Sequence, residues 1–175
     1  RLKRLPPYLF GELNRLKLEK RRNGIDIIDF GMGNPDQPSV HTAVEKLRDV
    51  INDPKTHRYS ASKGIPHLLN AVSERYKKQF NVDVDPKKEI IATIGSKEGI
   101  SHLSLALLGP GESALIPSPS FPIHVWSVVL TGANVITVPL FSKEIDHYLS
   151  DLAHIVENLW PKPKVMYLNF PHNPT

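Results

Sequence analysis

The sequence predicts an α/β fold: a mostly parallel sheet with helices on both faces, joined to an N-terminal arm and small-domain segment. Three observations carry this. From residue 66 onward, four stretches of helical spacing alternate with four short apolar runs of strand length. The connections between them are short, and alternating helices and strands pack as parallel sheets covered on both sides. Residues 1–40 fall outside the alternation. The expected division is therefore an arm with part of a smaller domain at 1–40, and the incomplete first part of a larger domain at 41–175.

Taken in order, Tyr8–Asn23 spaces Leu9, Leu13 and Leu16 as a helix does, and Gly24 stands where helices commonly stop. Asp26–Phe30 ("DIIDF") reads as a short strand running into the loop "GMGNPDQP". Ser39 is suited to cap a helix that continues to Ile51. "THRYSASKG" reads as a loop. Pro66 then opens a helix to Phe80, because the first helical position tolerates proline. The remaining strands are expected at Glu89–Ile94, Ser113–Ile116, Asn134–Leu140 and Lys164–Asn169. Helices are expected between them at Lys97–Leu108, Pro122–Leu130 and Tyr148–Trp160, with a turn at "GPGE".

Composition excludes several function classes. No apolar run approaches the ~18 residues of a membrane span. Without cysteine there is no disulfide framework, thiolate metal site or cysteine nucleophile, which suits a reducing cytoplasm. The net charge of +4 is unevenly placed: residues 1–22 hold eight basic side chains against Glu12 and Glu19, and the rest of the chain sums to −2. Such a segment can touch nucleic acid. Its basic residues gather towards the helix's C-terminal end, however, where the macrodipole favours them. A solvated helix face is the simpler reading, and neither nucleic acid nor membrane is expected as a partner. The chain starts at Arg1 and breaks off in a loop after a strand, so it reads as part of a longer protein.

The sharpest motif is "IIATIGSKEGISHLSLALL". An apolar strand enters Gly95-Ser96-Lys97-Glu98-Gly99 and then an amphipathic helix. Gly95 permits the tight turn, and Gly99 lets the helix start lie close to the strand. The first helical turn has N–H groups outside the intrahelical ladder and the positive end of a macrodipole, so it suits an anion. Ser96 adds a hydroxyl and Lys97 a charge. The spacing is neither a Walker motif nor GxGxxG. "GMGNPDQP" can present backbone N–H groups to a carboxylate, "IPSPSFP" places Phe121 beyond a strand, and "NFPHNPT" places Asn173 beyond another. Taken alone, each of these is more simply a turn, a packed aromatic or a polar loop. His147 and His154 share a helix face without completing a metal site. Ser118 and Ser120 lack a triad context.

In this order, "GNPD", "YSASKGIP", "GSKEG", "PSPSFP" and "NFPHNPT" resemble the pyridoxal-phosphate-dependent aminotransferases of fold type I, classes I and II. The resemblance runs from "LPPYLF" to the last residue. It is strongest to the bacterial alanine and aspartate transaminase branch, near the LL-diaminopimelate aminotransferases.

The resemblance implies residue roles. The Ser96 and Lys97 backbone, with the Ser96 hydroxyl, would hold the phosphate of pyridoxal 5′-phosphate. Phe121 would stack on its ring where many relatives have Tyr, and Asn173 would hydrogen-bond the ring's phenolic oxygen. Gly33 would offer its N–H to the substrate α-carboxylate, and Tyr8 would approach substrate. Tyr59 would reach the cofactor phosphate of a neighbouring subunit, which implies a homodimer with shared active sites. The Schiff-base lysine would follow residue 175, so no catalytic residue is expected in this chain. Lys97, beside the phosphate, is not that lysine. The implied reaction moves an amino group between alanine, glutamate or aspartate and a 2-oxo acid. The alternative is a truncated, inactive fragment serving only as a dimerisation or interaction module.

Overall fold

Ser113–Ser118 (β1) is apolar on both sides of its pleat, the mark of a strand buried on both faces. In the computed structural model it is the middle of a three-stranded parallel sheet, flanked by Asn134–Pro139 (β2) and Val165–Met166 (β3). The described residues are 3, 5–31, 33, 35–140 and 144–175. Arg1 and Arg4 of the basic segment, and Met32 and Asn34 of the glycine-rich loop, lie outside them. The helices are α1 (Leu9–Arg22), α2 (His41–Ile51), α3 (Pro66–Phe80), α4 (Ser96–Leu107), α5 (Pro122–Thr131) and α6 (Ile145–Asn158). They divide between two compact units, Pro7–Ala92 and Thr93–Thr175.

Within Thr93–Thr175 the register pairs Ala114 with Val135 and Val165, and Leu115 with Ile136 and Met166. Alternation then sorts the core onto two faces. Ala114 and Ile116 join Val128 of α5 and Ala133 on one side. Leu115 and Val138 join Tyr148 of α6 on the other. Helices thus cover both faces, as expected. Ile116, Val128 and Val138 are almost wholly buried, and each such side chain stabilises the fold by about 1.5–3 kcal/mol. β3 is shorter than its apolar run predicts. Lys164 and Tyr167 nonetheless extend its bonding to β1 through Ser113 and Leu115 carbonyls, at 2.9 and 3.0 Å.

Pro7–Ala92 is helical. α1 ends as predicted: Gly24 N–H donates to the Arg21 carbonyl and Ile25 N–H to that of Lys20, the paired bonds of a Schellman stop. Glu12 sits in its first turn and Lys20, Arg21 and Arg22 in its last, complementing the dipole. α3 begins at Pro66 and closes on Asn81 in a left-handed conformation. α2 is capped at Val40, not at Ser39, and no side chain bonds to its first turn.

Two predicted strands do not form. Asp26–Phe30 and Glu89–Ile94 carry no ladder, Glu89 belongs to a turn, and while Ile27 and Ile90 are half-buried, Phe30 is 95% and Ile94 92% exposed. A β-strand exists only through a partner's backbone, and among the described residues neither segment joins a sheet; the bond from Ala92 N–H to the Lys63 carbonyl, at 2.9 Å, does not build a ladder.

Candidate functional site

The sequence motif at Gly95–Gly99 folds as its residue types require. Gly95, the N-cap of α4, has φ +81° and ψ 161°, a region nearly closed to residues with a Cβ. A Cβ at Gly99 would lie 3.2 Å from Thr93 Oγ1, so glycine here permits the helix to start against the preceding segment. The first intrahelical bond runs from Gly99 N–H to the Gly95 carbonyl. The N–H groups of Ser96, Lys97 and Glu98 therefore precede the ladder and form its positive end. The Glu98 carboxylate accepts the Ile94 N–H, and so holds the segment leading into the turn.

Phe121 stands at the N-cap of α5, just past the carboxyl end of β1, with Pro122 fixing the first turn. The Lys97 ammonium lies 5.1 Å from the centre of its ring, a cation–π distance. The start of α4 and the aromatic ring are thereby brought together. One turn along α5, the His124 ring meets Phe121 edge-on at 6.2 Å. Tyr167, past β3, lies 5.4 Å from His124 on a ring tilted by 32°. Burial pushes the His124 imidazole below its ordinary pKa, and repulsion from His172 adds to this. Asn173, next to His172, is exposed. His172 Nδ1 lies 3.0 Å from Thr175 Oγ1.

The remaining candidates belong to Pro7–Ala92 and are placed within that unit alone. Tyr8 is the N-cap of α1, half exposed, with its ring 5.8 Å from Phe10. Tyr59 is fully exposed in the loop before α3. Gly33 is exposed, and a Cβ there would meet open space, so packing does not impose a glycine. Among the described residues no His, Asp and Glu cluster could hold a metal ion. No described helix is long and apolar enough to cross a membrane.

His124, Tyr167, Ser104 and Ser127 were not legible as site-related residues. The only trace of them in the sequence is the i, i+3 spacing of Phe121 and His124 across one helical turn.

A phosphate joined to a flat ring fits this arrangement. Its anionic end suits the first turn of α4 with the Ser96 hydroxyl and the Lys97 charge, and its ring suits the face of Phe121. Comparison with known proteins agrees with that chemistry. The family profile described as "Aminotransferase class I and II" matches residues 25–175. The whole chain is 49% identical to the glutamate-pyruvate aminotransferase AlaC of Escherichia coli, and 43% identical to an LL-diaminopimelate aminotransferase of Aquifex aeolicus. It spans 42% and 45% of those two proteins, less than half of each. A mutant aspartate aminotransferase of Thermus thermophilus superposes with a TM-score of 0.85 at 26% identity, over 99% of this chain and 44% of that one. Class I and II aminotransferases depend, as a family, on pyridoxal phosphate. With its motifs in order, the glycine turn that opens α4 and a profile match over most of its length, the chain belongs to the class I and II aminotransferase family.

Proposed function

We propose that the protein containing this chain is a pyridoxal-phosphate-dependent aminotransferase that moves an amino group between an amino acid and a 2-oxo acid. The observation that carries this is the approach of Lys97 to Phe121, which sets an anion-suited helix start beside an aromatic face. The bound cofactor would supply the electron sink for removing the substrate's α-proton. This chain's own part is binding and orientation. The Ser96 hydroxyl and the Ser96 and Lys97 N–H groups hold the phosphate, Phe121 packs on the ring, and Asn173 donates to its phenolic oxygen. Gly33 and Tyr8 face substrate, and Tyr59 reaches a second subunit's phosphate in a homodimer. Residues 1–40 act as the arm and part of the smaller domain, and the enzyme works in the cytoplasm.

The name of the Escherichia coli relative supports glutamate as donor and pyruvate as acceptor; alanine and 2-oxoglutarate are the partners of the reverse transfer, and aspartate is the next donor to try. The test is a cofactor titration of the full-length protein, followed by absorbance, with transfer from alanine to 2-oxoglutarate assayed alongside. Ser96→Ala and Asn173→Ala are each expected to weaken cofactor binding by about tenfold, the loss of roughly 1.4 kcal/mol expected of a charge-assisted hydrogen bond. A full-length protein that takes up no pyridoxal phosphate would sink the proposal.

A further inference from the structure

Three hydroxyls meet in the core of Thr93–Thr175, brought from three elements. Ser104 Oγ of α4 lies 3.0 Å from Ser127 Oγ of α5 and 2.5 Å from the Tyr167 hydroxyl past β3. Ser127 Oγ and the Tyr167 hydroxyl are 3.3 Å apart. Both serines are almost fully buried. Ser104 also reaches the Ile100 carbonyl at 2.8 Å, and Ser127 the His124 carbonyl at 3.3 Å. With Tyr167 donating to Ser104, Ser104 to Ser127 and Ser127 to the His124 carbonyl, each proton has an acceptor and the cluster is satisfied.

A leucine at 167 would fill such a space without any polar group to satisfy. Burying hydroxyls is costly unless each is bonded, and what a satisfied cluster contributes is a fixed orientation. The group that it fixes here is the Tyr167 ring, which stands against His124, which in turn stands edge-on to Phe121. The column runs from the buried hydroxyls to the aromatic face.

We infer that Tyr167 is a positioning residue. Its hydroxyl, anchored by Ser104 and Ser127, holds its ring against His124 and through it sets the plane of Phe121. This rests on the reading of Phe121 as the surface on which the cofactor ring packs.

The test is a double-mutant cycle in the full-length protein, read as apparent Kd for pyridoxal phosphate and as the His124 imidazole resonances of the cofactor-free form. Tyr167→Phe removes only the hydroxyl. It is expected to shift the His124 resonances and to raise Kd about threefold or more, within the coupling range of contacting side chains. With Phe121→Ala already present, it is expected to change Kd no further. Thr131→Val removes another buried hydroxyl of α5, one bonded to Val128 and Ala133 outside the column. It is expected to lower the melting temperature and leave Kd alone.

An equal rise in Kd with Thr131→Val, or an undiminished effect of Tyr167→Phe beside Phe121→Ala, would overturn the inference by reducing it to general loosening. An unchanged Kd in Tyr167→Phe, with a raised Kd in Phe121→Ala, overturns the positioning role alone. An unchanged Kd in Phe121→Ala overturns the stacking reading and this inference with it.

Discussion

The two units differ in what holds them. Thr93–Thr175 contains both clusters of the core, on opposite faces of the sheet. In Pro7–Ala92 the helices form on local signals, and Leu69 of α3 is the one buried apolar residue among those described. Leu47 and Ile51 of α2 are more than half exposed. The difference teaches that capping, Pro placement and helical spacing define helices with little tertiary help, whereas strands require a partner. The sharpest way to break this contrast is to cut equal amounts from both units. Ile116→Ala is expected to cost about 2–5 kcal/mol, as large-to-small changes in a packed core do. Leu47→Ala is expected to stay within about 0.5 kcal/mol, as surface changes do. Urea unfolding measures both, and a large loss from Leu47→Ala would show that the α2 face is covered in the protein.

That contrast also explains what was legible. The predicted helix Pro66–Phe80 has its observed bounds because Pro66 and Asn81 mark its ends in the chain itself. Lys97–Leu108 and Pro122–Leu130 are each within a residue of the observed helices. "DIIDF" and Glu89–Ile94 carry apolar runs as clear as that of β1, but a run states only that a strand could form. The site divides likewise. Ser96, Lys97 and Phe121 announce themselves through glycine and proline at strand-to-helix turns. Ser104 and Tyr167 are 63 residues apart and meet only through the β1–β3 pairing, so no local pattern joins them.

A second, smaller effect separates two glycines: Gly95, which makes the turn before α4, and Gly33, which the family resemblance places at the substrate carboxylate. Gly95→Ala puts a Cβ into the near-forbidden region at φ +81°, ψ 161°, a strain of about 1–3 kcal/mol. Gly33→Ala meets open space and is expected to leave stability within about 0.5 kcal/mol. If both substitutions are equally costly, the turn before α4 is not the rigid feature its geometry indicates. If both are neutral, Gly95 relaxes freely and the first turn of α4 is not pre-set for an anion.

The smallest expected effect lies in the pH dependence of Thr93–Thr175. His124 has a folded pKa below its ordinary 6.5, chiefly through burial and next through His172. The unfolded chain therefore binds the proton more readily than the folded one. Stability from this group is fully present above about 6.5 and is lost as pH falls towards and through the folded value. Melting temperature is expected to decline between pH 7 and 5, and His124→Gln is expected to flatten that decline. His172→Gln tests the order of the two causes. Removing the repulsion raises the His124 pKa only part of the way, so the decline should shrink without vanishing. If His172→Gln flattened it as fully as His124→Gln, charge repulsion rather than burial would be the main cause of the lowered His124 pKa.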